Sequence, residues 1–100
     1  MENVIEIALF KIKENIKEEN FISLSQEFQK NFVSVQDGFV ERKLVKNSNG
    51  VWADIVTWKD MTFATNAENS MPSSSSALNY MSCIQDKSVT MYKMNIIKSY

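Results

Sequence analysis

Three places in this chain carry residue types and spacings that could do chemistry. The first is Trp52-x-Asp54-x-x-x-Trp58. In an extended strand alternate residues share a face, so both indoles and the carboxylate line one side. An aromatic platform beside a carboxylate is a pocket wall, able to accept a proton or a hydrogen bond from a bound hydroxyl. The second is Glu6, a carboxylate in the middle of an apolar strand, sharing a face with Ala8 and Phe10. Burial would raise its pKa and make it an acid or base. The third is Tyr80-Met81, where Tyr80 could orient a phenolic substrate. Each has a plainer reading. The tryptophans could be core, Asp54 could pair with Arg42 or a backbone donor, and Glu6 could form a salt bridge. Tyr80 could pack with its hydroxyl in water, and Arg42 could be a solvated charge on an edge strand.

Trp52, Asp54 and Trp58 sit on the second arm of a hairpin running from Gly38 to Trp58. Phe39 to Lys46 is a strand whose Glu41, Arg42, Lys43 and Lys46 suit a sheet edge. Asn47-Ser48-Asn49-Gly50 is the connection, Asn-Gly supplying positive φ. Val51 to Trp58 follows, with Val51, Ala53, Ile55 and Thr57 on the opposite face from the tryptophans. The first strand, Asn3 to Lys13, is likewise apolar on two sides: Ile5, Ile7 and Leu9 point one way, Glu6, Ala8, Phe10 and Ile12 the other. Strands of that kind are central ones. Lys13-Glu14-Asn15 breaks the pattern, with Asn15 able to take a left-handed turn conformation.

Between the strands the period changes. Phe21, Leu24, Phe28, Phe32 and Val35 predict a helix over about Lys17 to Val35, with Glu18 and Glu19 complementing its dipole. Asp60 is an N-cap for a helix through about Asn69, burying Phe63, Ala64 and Ala67. Pro72 stops it. The serine tract Ser73 to Ser76 is a linker that caps a short helix, Ala77 to about Cys83. Asp86-Lys87 forms a turn, and Ser88 to Lys98 is the last strand. The order β-α-β-β-α-(α)-β predicts an α+β, ferredoxin-like βαββαβ fold: an antiparallel sheet in order 4-1-3-2 with helices on one face. The other face then presents an apolar surface that calls for a partner, most simply a second copy.

Bulk composition narrows the function classes. One hundred residues make one domain, 1–100. A net charge of −1 without a Lys/Arg run argues against nucleic-acid binding, and the aromatic spacing of RNA-binding βαββαβ domains is missing. The single cysteine, Cys83, rules out an intrachain disulfide and a thiolate-rich metal site, and Cys-x-x-Cys metal carriage with it; Cys83 reads as structural. There is no histidine, which removes the commonest general base, the usual haem ligand and the commonest metal ligand. The methionines read as core filling. No apolar run could span a bilayer, and Glu2 stands where a signal peptide needs positive charge, so the expectation is cytoplasmic, with no membrane partner.

The stretches VIEIALFKIK, EENF, GFVERKLVK and GVWADIVTW followed by Lys59-Asp60, with a weaker tail DKSVTM, resemble the dimeric α+β barrel superfamily, close to its antibiotic-biosynthesis-monooxygenase-like group. The likeness covers nearly the whole chain. It implies a homodimer whose two sheets pack face to face, and a pocket in each subunit between sheet and helices. The family's pocket tryptophan matches Trp58. In quinol-type oxygenases of the group an asparagine lies four residues earlier, where this chain has Asp54. The haem-degrading branch uses an Asn, a Trp and a His together; here the Asn position is Ala8 and the His is absent. The resemblance therefore implies a monooxygenase without cofactor or metal, oxidising a small aromatic or polyketide-type substrate. Trp58 and Asp54 would be catalytic, and Glu6, Ala8, Phe10, Trp52, Tyr80 and Met81 would line the substrate site. The alternative is a non-catalytic dimer of the same superfamily that binds a small ligand or acts as a scaffold.

Overall fold

A computed structural model describes residues 3–100. Strand β1 (Val4–Phe10) leads into helix α1 (Glu18–Asn31), then β2 (Phe39–Lys46), β3 (Trp52–Trp58), helices α2 (Met61–Ser70) and α3 (Ser75–Met81), and β4 (Thr90–Asn95). The sheet order is β2-β3-β1-β4, and all three pairings are antiparallel. This is the expected 4-1-3-2 arrangement, with the two strands that are apolar on both faces in the centre.

The register decides which side chains meet. Val4 faces Trp58, Glu6 faces Val56, Ala8 faces Asp54 and Phe10 faces Trp52. This set turns towards the helices, and Val4, Phe10, Trp52 and Trp58 are buried. On β4, Lys93 stands opposite Glu6 and Met91 opposite Ala8. The alternate set leaves the helices behind: Ile5 beside Met94, Ile7 beside Tyr92, Ile7 also beside Ile55. Tyr92 is 47 % and Met94 46 % exposed on that open face. A partly apolar sheet face without cover is the surface the sequence led us to expect.

Helix α1 buries Phe21, Ser25 and Phe28. Phe21 is fully enclosed, and burying such a ring stabilises the fold by roughly 1.5–3 kcal/mol. The helix is shorter than predicted. It stops at Asn31, where Phe32 leaves helical geometry at φ −125°, and Val33–Val35 forms a 3₁₀ turn. Phe32 and Val33 are thereby buried while Val35 is left 66 % exposed, so Val35 is not part of the apolar stripe. Asp60 caps α2 as expected, its carboxylate accepting from the Phe63 N–H at 3.0 Å. Ser74 caps α3 by accepting from the Ala77 N–H. That cap starts α3 two residues earlier than the sequence suggested, and the helix also ends earlier, at Met81.

Other boundaries tighten too. β1 ends at Phe10, with Ile12 surviving only as an isolated bridge to Ile84. Asp86–Ser88 is a 3₁₀ turn, which shortens β4 to Thr90–Asn95. Among the described residues only Gly38 and Gly50 have positive φ, 81° and 79°, so Asn15 and Asn49 do not adopt the left-handed conformation. Asn47 instead accepts the N–H groups of Asn49 and Val51 on its side chain, which lets Gly50 alone make the left-handed step. Gly38 is fixed twice over, since a Cβ there would also lie 2.2 Å from Phe63 Cγ.

Of the described methionines Met71 packs against the core, but four others do not fill it. Met61, Met81, Met91 and Met94 are each at least 37 % exposed, and Met71, Met81 and Met91 border the cavity described below. Cys83 is buried and free, its Sγ 3.7 Å from the Asn79 carbonyl. No helix among the described residues is long and apolar enough to cross a membrane.

Candidate functional site

A cavity of about 380 Å³ lies between the sheet and the helices. Ala8, Phe10, Val56 and Trp58 line it from the sheet, and Phe28, Ala67, Tyr80 and Met81 from the helices, with Phe32 just beyond α1. Leu78, Met81 and Met91, which line it, are 53, 41 and 46 % exposed and mark its rim. The volume falls within the range of small-molecule sites, roughly 300–1,000 Å³, and the lining has their composition, apolar with a few polar groups.

Those polar groups sit in two clusters. In the first, Asp54 is 7 % exposed and receives three donors. Arg42 holds it in a two-point fork, Nε to Oδ1 and Nη2 to Oδ2, both 2.9 Å. The Tyr80 hydroxyl donates to Oδ2 at 2.6 Å. Arg42 also donates to Ser25 Oγ at 2.9 Å and to the Ser25 carbonyl at 3.3 Å. Its guanidinium lies 5.0 Å from the centre of the Phe28 ring and 5.3 Å from that of Tyr80. Charged groups taken this far from water persist only when they are paired and hydrogen-bonded, and here both are. Burial, reinforced by the Asp54 carboxylate, pushes the Tyr80 hydroxyl far above the ordinary tyrosine range. Burial lowers the Arg42 pKa, but the hydrogen bonds and charge of Asp54 more than reverse this and leave it raised. Tyr80 therefore remains a donor and Arg42 a cation.

Two readings change here. Arg42 is not a solvated edge charge: its side chain is 6 % exposed. The cause is a bulge between Phe39 and Glu41, which turns Arg42 and Leu44 towards the helices where unbroken alternation from Phe39 would turn Glu41 and Lys43. Tyr80 does not reach water; it stacks between Phe21 and Phe28, with ring centres at 5.0 and 4.6 Å.

The second cluster surrounds Glu6. Its Oε1 accepts from the Trp58 indole N–H at 3.3 Å, and its Oε2 is 4.0 Å from Lys93 Nζ. Lys93 is itself bonded to Glu68 on α2. Burial raises the Glu6 pKa; the Trp58 donor and Lys93 oppose that rise, while Glu68 and Asp54 add to it. Four elements thus meet at this carboxyl. Sequence reasoning singled out Glu6 and Trp58 but missed Glu68 and Lys93. The signal for Lys93 was its place in β4 opposite Glu6, which requires the sheet order and register to be known together.

Of the eight residues proposed from sequence, seven border the cavity: Glu6, Ala8, Phe10, Asp54, Trp58, Tyr80 and Met81. Trp52 does not. It is buried below α1, edge-on to Phe21 at 5.1 Å with Lys46 Nζ 5.4 Å from its ring. Sharing a strand face with Trp58 was not enough, because α1 covers that end of β3. Among the described residues no three His, Cys, Asp or Glu side chains come together as a metal site.

No protein-family model and no curated protein matches the sequence. Solved structures do match in three dimensions. A variant of SnoaB, a cofactor-independent oxygenase from Streptomyces nogalater, superposes with a TM-score of 0.78 at 15% identity, covering 99% of this chain and 97% of that one. A Bordetella bronchiseptica protein named as an antibiotic biosynthesis monooxygenase gives 0.80 at 12% identity, covering 98% and 100%. One of the same description from Nitrosomonas europaea gives 0.74 at 9% identity, covering 96% and 91%. At such identities the likeness is one of fold. It is nonetheless the likeness that the strand and hairpin motifs led us to expect: this chain has the fold of the antibiotic-biosynthesis-monooxygenase-like proteins.

Proposed function

We propose that this protein is a cofactor-independent monooxygenase acting on a small aromatic or polyketide-type substrate held against Trp58. The observation that carries the reading is the apolar cavity of about 380 Å³ between sheet and helices. The cofactor-independent oxygenase SnoaB, a protein of the same fold, supports it. The chemistry asks for a substrate that can become a stabilised carbanion or phenolate. A ring methylene loses a proton, dioxygen adds to the carbanion, and the hydroperoxide loses water to leave a carbonyl. One oxygen atom ends in the product and one in water, with dioxygen the only oxidant. Such a step is helped by fixed donors and a dry pocket.

We further propose that the protein works as a homodimer through the open sheet face. Ile5, Ile7, Ile55, Tyr92 and Met94 supply the apolar surface. Light scattering at micromolar concentration should give twice the chain mass, and Ile7→Glu, which sets a charge at the middle of that face, should give the monomer. A wild-type monomer overturns the dimer.

Oxygen consumption with a panel of hydroquinones and anthrones tests the activity. We expect uptake with at least one compound, reduced tenfold or more in Trp58→Ala. A specific observation favours a second reading, ligand binding without turnover: Asp54, at the asparagine position of the quinol-type oxygenases, already accepts three hydrogen bonds from Arg42 and Tyr80. Saturable binding of the same compounds without oxygen uptake would select that reading over the first.

A further inference from the structure

We propose that Glu6 is the proton-accepting group of the cavity, taking a proton from an activated C–H or phenolic O–H of an aromatic ligand held beside Trp58. The assignment rests on the aromatic-ligand reading above and goes beyond it by naming the acceptor.

The case is one of unspent hydrogen-bonding capacity. Three carboxyl groups and one phenol line the cavity: Asp54, Glu6, Glu68 and Tyr80. Asp54 is occupied by three donors, and Tyr80 spends its own proton on Asp54. Glu68 is paired with Lys93 and is 45 % exposed at its side chain. Glu6 is different. Its side chain is 14 % exposed, and Lys93 stands at 4.0 Å, an ion-pair separation too long for a hydrogen bond. Among the described residues no buried polar side-chain atom lacks a partner, so the free oxygen of Glu6 is one that open space reaches. Glu6 is one of the residues that line the cavity.

The surroundings suit the transfer. The proton passes from ligand carbon or oxygen to the Glu6 carboxylate, and the electron pair stays on the ligand as an enolate or phenolate. Glu6 becomes a neutral carboxyl, which its burial favours. The groups facing it from the packed elements are the Trp58 indole N–H on β3, Lys93 on β4, Glu68 on α2 and, more distantly, Asp54 on β3. Trp58, which lines the cavity, presents an indole N–H at this wall. The step itself needs no oxidant.

Anaerobic hydrogen–deuterium exchange into the ring methylene of anthrone, followed by proton NMR, isolates proton removal from oxygen chemistry. Binding is followed in parallel by quenching of tryptophan fluorescence. We expect wild type to bind anthrone and accelerate exchange at least tenfold over buffer. Glu6→Gln should bind within threefold of wild type yet exchange at the buffer rate. Exchange in Glu6→Gln at the wild-type rate, or binding by wild type without acceleration, overturns the assignment and leaves the ligand reading standing. Failure of wild type to bind overturns the ligand reading, and the assignment falls with it. Lys93→Met provides a check independent of the Glu6 variant's folding. Removing this cation raises the Glu6 pKa further, so the pH midpoint of exchange should move upward. An unmoved midpoint overturns Glu6 as the acceptor.

Discussion

Asp54 and Glu6 are carboxylates on neighbouring central strands, both facing the same cavity, and the fold treats them in opposite ways. Asp54 meets Arg42, whose fork matches a carboxylate, and a tyrosine hydroxyl held in an aromatic stack. Glu6 meets one indole N–H and a lysine already shared with Glu68. Position on a pocket wall therefore does not make a carboxylate reactive. What matters is how many donors its neighbours can bring within hydrogen-bond distance. Saturation turns Asp54 into a structural anchor between β3, β2, α1 and α3, and incompleteness leaves Glu6 able to take a proton.

The contrast breaks most readily at Asp54. Asp54→Ala leaves the Arg42 cation buried without its counter-ion and should cost about 3–5 kcal/mol in urea unfolding. A loss below about 1 kcal/mol would mean that Arg42 finds water, and the anchor reading fails. Tyr80→Phe removes one hydrogen bond to a charged acceptor and should cost about 1.5–3 kcal/mol. In the Asp54→Ala background the same substitution should cost much less, so a double-mutant cycle reads their coupling. Additive losses would separate Tyr80 from the cluster.

Glu6 should show a smaller effect of the opposite kind. Its folded pKa is raised above 4.5, so its carboxyl favours the folded state below the unfolded pKa. That contribution disappears as pH rises through the folded pKa. Relative to wild type, Glu6→Gln should therefore gain stability across that window. The gain is about 1.4 kcal/mol for each unit by which the folded value exceeds the unfolded one. Thermal melts of both proteins at closely spaced pH values check the sign; a flat difference would place Glu6 in an ordinary solvated pair. Smallest of all, Lys46→Ala removes the Glu18 ion pair at 2.9 Å and should change stability by less than about 1 kcal/mol. That figure sets the scale of an exposed ion pair against the buried Arg42–Asp54 fork.

How far the site was legible in the sequence follows from the same physics. Period-two alternation put Glu6, Ala8, Phe10, Asp54 and Trp58 on the faces they occupy, because β1 and β3 run without interruption. On β2 the charges marked an edge strand, but one extra residue at the bulge reverses every side chain beyond it. Nothing local in Phe39-Val40-Glu41 announces that reversal, and it is what brings Arg42 inside. Helix periodicity found Phe21 and Phe28 but ran on to Val35, since apolar spacing does not report where a chain must turn to reach the next strand.

By itself the sequence determined the element order, the two central strands, the cap at Asp60 and the glycine turns. Each of these depends on local conformational preference or on a short period of apolar residues. Only the tertiary structure decided which charges are spent. Arg42 reaches Asp54 through a bulge, Lys93 reaches Glu6 and Glu68 across a strand pairing and a helix, and α1 removes Trp52 from the cavity that Trp58 keeps. Hydrogen-bond saturation and desolvation depend on neighbours distant in the chain, and those neighbours exist only once the sheet has taken its register beneath the helices.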